Sequence, residues 1–165
     1  MGFFTIPMAH KVGKTGRVIA TDIQPKMLES LRRRAKEAGV EKRIETRLVQ
    51  VESLELGDLI AAVDFVLVFA VVHEMLSVDL FFRQVSTALK TGGLLLLAEP
   101  QGHVDASEWK RELESANAAG LDTSVIRGFG AAGRRCSVRP SSPEDPQVRH
   151  AVKKWPSPPM NRAES

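Results

Sequence analysis

The chain has 165 residues, 43% hydrophobic and 26% charged, which suits one globular domain with a real core and is too short to plan on two. Formal net charge is +3, and the single Cys136 excludes an internal disulfide, so redox chemistry is not indicated and a reducing, cytoplasmic setting is expected. The longest apolar run, residues 65–72, falls far short of the ~20 residues a membrane-spanning helix needs, and the first residues lack the pattern of an export signal, so no membrane partner is expected.

Residues 3–12 are predicted to form a short helix that Gly13-Lys-Thr-Gly16 breaks, and 17–22 follow as a strand. Pro25 opens a helix over 25–38, where Met27, Leu28, Leu31, Ala35 and Ala38 recur at three- and four-residue spacing; Arg32, Arg33, Arg34, Lys36 and Glu37 lie off that stripe, and Gly39 is the terminator. Residues 44–51 alternate as a strand. Residues 63–69 form a nearly continuous apolar strand interrupted only by Asp64, a pattern suited to a sheet covered on both faces. A helix over 78–90 carries the stripe Phe81, Phe82, Val85, Ala88 and Leu89; Thr91-Gly-Gly93 ends it, and 94–98 is the next strand. Asp105 and Glu108 make a capping-box pair before a helix whose stripe is Trp109, Leu113 and Ala116, up to Gly120.

Alternation of this regularity implies right-handed crossovers and a largely parallel, doubly wound α/β sheet. Beyond Leu121 only 123–126 suggests a further, weak strand. Residues 122–165, rich in proline and basic side chains (Arg127, Arg134, Arg135, Arg139, Arg149, Lys153 and Lys154), are expected to be an irregular or mobile tail on a domain over 1–121. A solvated tail is the plain reading of that charge, and contact with an anionic surface the other.

Asp22 ends the strand 17–22. A carboxylate at the carboxyl end of a parallel strand, about 20 residues after a glycine turn, can accept hydrogen bonds from both ribose hydroxyls of a nucleotide-like cofactor. Here the glycine would be Gly2; the plain alternative is a turn residue at a strand end. His73-Glu74 and Glu99 with His103 follow strands 63–69 and 94–98, at the edge where ligands bind in open α/β sheets. Because an imidazole ordinarily titrates near neutral pH, His73 is a candidate general base, against the alternative of an imidazole bonded to neighbouring backbone. These four residues have metal-ligand chemistry without diagnostic spacing, so no metal is expected. Met27, Phe81 and Phe82 read as core by their spacing.

Five segments in this order resemble the class I S-adenosylmethionine-dependent methyltransferases. Gly2-Phe-Phe-Thr-Ile-Pro-Met-Ala9 looks like the end of the glycine-rich first motif and its helix, and Val18-Ile-Ala-Thr-Asp22 like the second strand. Val51-Glu-Ser-Leu-Glu-Leu56 has the family's acidic residue, small residue and later leucine. Asp64-Phe-Val-Leu-Val-Phe-Ala-Val-Val-His-Glu74 resembles the fourth strand with its active-site loop, and Leu89-Lys-Thr-Gly-Gly-Leu-Leu-Leu-Leu-Ala-Glu-Pro100 the fifth motif. The match covers roughly residues 2 to 121. It implies a Rossmann-like fold with helices on both faces, S-adenosylmethionine as cofactor, and methyl transfer to a small-molecule acceptor, as in the quinone-biosynthesis branch. By position, Gly2 would let backbone approach the methionine part, Asp22 would hold the ribose, and Ile23 would pack on the adenine. Glu52 would lie near the adenine amino group with Ser53 beside it, and Phe69 would line the pocket. His73 and Glu74 would be the catalytic pair.

Measured against the family, the first strand and most of the glycine loop are missing. The expectation is a chain truncated at its N-terminus whose strands 18–22 and 63–69 lack their shared neighbour; they would close on each other, or the gap would favour self-association. Nucleic acid is not the expected partner, because Ala70-Val-Val-His-Glu74 stands where base-amine enzymes of the family carry Asn or Asp, two prolines and an aromatic. Two further readings stay open: a non-catalytic remnant acting as an interaction module, and a nicotinamide-dinucleotide domain.

Overall fold

The structure is a computed structural model that describes residues 2–99 and 104–122 in full and the backbone of 124–129 and 134–138. The chain divides into two compact units, Met1–Glu55 and Leu56–Ser165. His103 and the end of the chain from residue 139 lie outside the described residues.

The first unit contains α1 (Thr5–Lys11), β1 (Val18–Asp22), α2 (Pro25–Glu37) and β2 (Ile44–Leu48), the last entered through a 3-10 turn at Glu41–Arg43. β1 and β2 pair in parallel, Val18 opposite Ile44 and Asp22 opposite Leu48, so their carboxyl ends share one edge. Pro25 occupies the start of α2, where a missing N–H costs nothing. The helix ends in a Schellman cap: Gly39 N donates to Lys36 O at 3.0 Å and Val40 N to Ala35 O at 2.9 Å. Leu28, Leu31 and Ala35 are its buried face. Ala35 joins Ala9, Val18 and Val40 in a core flanked by Ile6, Met8, Ala38 and Ile44. Met27 departs from the expected stripe, being 40% exposed. It lies at the flank of the stripe, since Leu28, beside it in the same turn, is the residue that is buried.

The second unit contains β3 (Val63–Phe69), a 3-10 turn at Val72–Glu74, α3 (Val78–Ala88), β4 (Leu89–Glu99), α4 (Ala106–Ala118), β5 (Ser124–Phe129) and β6 (Arg134–Val138). Its sheet has the order β3-β4-β6-β5, parallel between β3 and β4 and antiparallel in the other two pairs. The expected turn at 91–93 is absorbed into β4 as an irregularity. Val63 faces Leu89 and Phe65 faces Leu94, so β4 carries three more residues than β3 over this stretch. Gly93 suits this position, because a β-carbon would crowd Lys90 O at 3.0 Å and Val63 O at 3.1 Å.

Leu95, Leu96, Leu97 and Ala98 of β4 are buried, as expected for a strand paired on both sides, whereas most of β3 is only half-buried. β3 is the edge strand of this sheet, which explains the difference. On α3, Phe81, Phe82, Val85 and Ala88 are buried, the expected stripe. The two rings pack edge to face, with centroids 5.3 Å apart. Phe82 is fully buried; Phe82→Ala is expected to cost about 3–5 kcal/mol of stability by chemical denaturation.

α4 begins with the expected capping box: Asp105 Oδ1 accepts from Ser107 N and Glu108 N, and Asp105 N donates to Glu108 Oε2. The Glu108 and Ser107 hydrogen bonds hold the Asp105 carboxyl below the usual carboxylate range. The helix closes in a second Schellman cap, with Gly120 N on Asn117 O and Leu121 N on Ala116 O. Its buried face differs from the expected one, for Glu112 and Ser115 lie with Trp109 and Ala116 while Leu113 is half-buried.

Within the expected irregular tail, β5 overlaps the weak strand expected at 123–126, whereas β6 was not expected. β6 pairs with β4 and β5 with β6, and the sequence around β6 carries no periodic sign of that pairing. Among the described residues no helix is long and apolar enough to cross a membrane.

Candidate active site

In the first unit the candidate residues gather at the carboxyl edge of β1 and β2. Asp22 Oδ1 accepts from Gln24 N at 2.8 Å, closing a turn on which α2 starts. Its carboxylate has no other hydrogen-bond partner among the described residues. Asp22 O meanwhile accepts from Val49 N, which ties the ends of the two strands together. Ile23 follows with 55% of its surface exposed, an apolar side chain left uncovered beside the carboxylate.

Glu52 stands at the tip of a tight turn after β2, closed by Gln50 and Ser53 through two backbone hydrogen bonds of 3.2 Å. Ser53 Oγ accepts from Glu55 N, and Arg47 donates to Glu55 O at 2.7 Å, so the end of this loop is anchored on β2. The structure therefore brings Asp22, Ile23, Glu52 and Ser53 to one edge. Gly2 is buried against α1 and α2, with φ +83°; an added β-carbon would lie 2.9 Å from Leu31 Cδ1 and 3.2 Å from Ile6 Cδ1. Backbone conformation and packing already account for a glycine there.

In the second unit the focus is Glu99, the last residue of β4 and only 1% exposed. Its Oε1 accepts from Val71 N at 3.3 Å and Val72 N at 3.0 Å, and its Oε2 pairs with His73 Nδ1 at 2.9 Å. One carboxylate thus fastens the loop after β3 to the end of β4 and orients the imidazole. With Glu99 ionised, Nδ1 carries the imidazole proton and Nε2 presents a lone pair. The His73 side chain is 23% exposed. Glu74 is 71% exposed, and its Oε1 lies 3.8 Å from His73 Nε2, beyond hydrogen-bonding distance. Phe69 is half-buried at the end of β3. Ala70 then leaves the strand in the left-handed region, φ +53°, while its N still donates to Ala98 O.

Glu112 was not legible as a site residue. It is 4% exposed, its Oε2 has no hydrogen-bond partner, and its pKa is pushed up to about 7, first by burial and then by the Glu99 charge. The signal was present in the spacing, since Glu112 falls three residues after Trp109 and four before Ala116 on the buried stripe. Among the described residues no group of three or more His, Cys, Asp or Glu side chains could hold a metal ion.

The α/β folding pattern with loops at the carboxyl ends of parallel strands is that of the Rossmann-like, class I methyltransferases. A family model described as a methyltransferase domain matches residues 1–133, and the chain belongs to that family. A search of curated proteins found no match. Among solved structures, an S-adenosylmethionine-dependent methyltransferase from Aquifex aeolicus is similar at 19% identity and TM-score 0.69, over 84% of this chain and 77% of that one. The [4+2]-cyclase SpnF is similar at 21% identity and TM-score 0.62, over 76% of this chain. Geranyl diphosphate C-methyltransferase from Streptomyces coelicolor, in complex with Mg2+, geranyl diphosphate and S-adenosylhomocysteine, is similar at 13% and 0.60, over 81% of this chain and 64% of that one. The chain spans about half, 51%, of the cyclase.

Proposed function

We propose that the protein transfers a methyl group from S-adenosylmethionine to a small-molecule acceptor, of the kind served by the quinone-biosynthesis branch that the sequence resembles. The observation that carries this reading is Asp22: it sits at the carboxyl end of a parallel strand with one oxygen fixed by Gln24 N, leaving the other to accept from ribose hydroxyls. Exposed Ile23 is the adenine contact. Glu52 and Ser53, on the same edge, bind the rest of the adenine side.

When bound, the cofactor would supply an electrophilic methyl carbon: an oxygen, nitrogen or carbon nucleophile attacking in line forms the new bond as the carbon–sulfur bond breaks and S-adenosylhomocysteine leaves, so catalysis is mainly positioning. His73 Nε2 takes the acceptor's proton, and Glu99 stabilises the imidazolium that results. Glu74, solvated and 3.8 Å from Nε2, adds only a weak field.

Calorimetric titration with S-adenosylmethionine tests the reading. Saturable binding is expected, weakened about 100-fold in Asp22→Ala through loss of hydrogen bonds to a charged acceptor. A folded protein with no binding at millimolar cofactor would refute it. That result would favour a second reading, a fold retained without methyl transfer, to which the similarity to a cyclase lends support.

A further inference from the structure

The two faces of β2 serve different ends. Ile44 packs against the core that Ala9 of α1 and Ala35 of α2 share, and Thr46 Oγ1 accepts from Arg32 Nε of α2 at 2.7 Å. The alternate residues Glu45 and Arg47 therefore share the opposite face. There Glu45 stands between two guanidiniums, its Oε2 paired with Arg17 Nη1 at 3.0 Å and its Oε1 with Arg47 Nε at 2.6 Å. Arg47 is the inner of the two, its side chain 15% exposed against 57% for Arg17. The shared carboxylate fixes the plane of the Arg47 fork, and Nη1 donates to Glu55 O at 2.7 Å.

Glu55 is held at a strained position. Its φ of +50° lies in the left-handed region that a side chain disfavours, and both its backbone polar groups are tied, N to Ser53 Oγ at 3.2 Å and O to Arg47 Nη1. With the two backbone hydrogen bonds between Gln50 and Ser53, these contacts close both ends of the short loop that carries Glu52. Strain of this kind persists only where the surroundings over-determine it, and Arg47 supplies the link from the strained residue back to the strand.

We propose that Arg47 is a positioning residue for cofactor recognition: by clasping Glu55 to β2 it sets where Glu52 stands, and so sets the preference of the site for adenine, whose exocyclic amino group donates to Glu52, over a purine without that group. Arg47 itself touches no cofactor and acts through the loop. The inference rests on the methyl-donor reading and on Glu52 lying at the adenine.

Calorimetric titration of the full chain with S-adenosylhomocysteine and with S-inosylhomocysteine, which bears a carbonyl oxygen in place of the amino group, tests it. The wild type is expected to bind the adenine compound at least about 10-fold more tightly, the worth of one hydrogen bond to a charged acceptor. In Arg47→Ala that preference is expected to fall to about 2-fold or less, as the carboxylate loses its fixed place. A merely structural role would weaken both compounds alike; an unchanged ratio in the folded variant therefore overturns the proposal. A wild type that binds the two equally overturns it as well and leaves the methyl-donor reading intact, whereas binding of neither overturns both. The clasp is also read in the wild type by nuclear magnetic resonance, so the test survives a variant that fails to fold. Arg47 Nε–H is expected to exchange slowly with solvent and to shift further on adding the adenine compound than the hypoxanthine one; a rapidly exchanging Nε–H, or equal shifts, would count against it decisively.

Discussion

Glu99→Ala is expected to destabilise the second unit by about 3–5 kcal/mol, because it strands two backbone donors and the imidazole at once. Val72 is fully buried, so its N–H cannot turn to water as a substitute. Glu99→Gln separates the loop from the chemistry. Its amide oxygen can replace Oε1 on Val71 N and Val72 N, which should restore most of the stability. Its NH2 group then faces His73 Nδ1 and makes that nitrogen an acceptor, so the proton shifts to Nε2 and the base is lost. Methyl transfer in Glu99→Gln should fall by roughly 10²–10⁴ with stability near wild type. Chemical denaturation of both variants, paired with an activity assay, checks this; equal stability losses in Ala and Gln would sink the assignment of Oε1 to the loop.

The second large effect runs in the opposite direction. The folded-state pKa of Glu112, about 7, lies above its ordinary value of 4.5, so between those values the folded protein holds a proton that the unfolded chain has released. The stability that this proton contributes is fully present below pH 4.5 and is lost as pH rises through 7, an amount of roughly 3 kcal/mol. Glu112→Gln cannot ionise. It should match the wild type near pH 4 and exceed it by about 2–3 kcal/mol at pH 8. Denaturant midpoints of the two proteins at both pH values measure the difference. A constant gap across that range would mean that Glu112 ionises normally in the fold.

Much of this architecture was legible because it rests on local chemistry. Pro25 and Gly39 bracket α2, Asp105 and Glu108 announce α4, and the run 63–69 is a strand by its composition alone. Asp22 could be found for the same reason, as a carboxylate placed where a strand ends. What could not be read rests on partners distant in the chain. Glu99 acts through backbone N–H groups of Val71 and Val72, which have no side-chain signature. β6 is defined by its pairing with β4, and its own residues read as loop. Glu112 sat on a visible stripe, yet carboxylates are so often solvated that spacing alone did not place it inside. Met27 failed in the reverse sense, because three- and four-residue spacing admits both Met27 and Leu28 to the stripe and does not tell which of the two neighbours is buried.

The left-handed residue Ala70 and the Glu99 anchor together divide the loop after β3 for evolution. From Ala70 to His73 the chain is bound to the sheet by backbone conformation and by the Glu99 carboxylate, so a change there alters folding and chemistry together. Leu76, 77% exposed just before the Ser77 cap of α3, carries no such tie. A lineage of such proteins can therefore trade side chains at Leu76 at little cost in stability, while residues 70–73 stay within a narrow vocabulary.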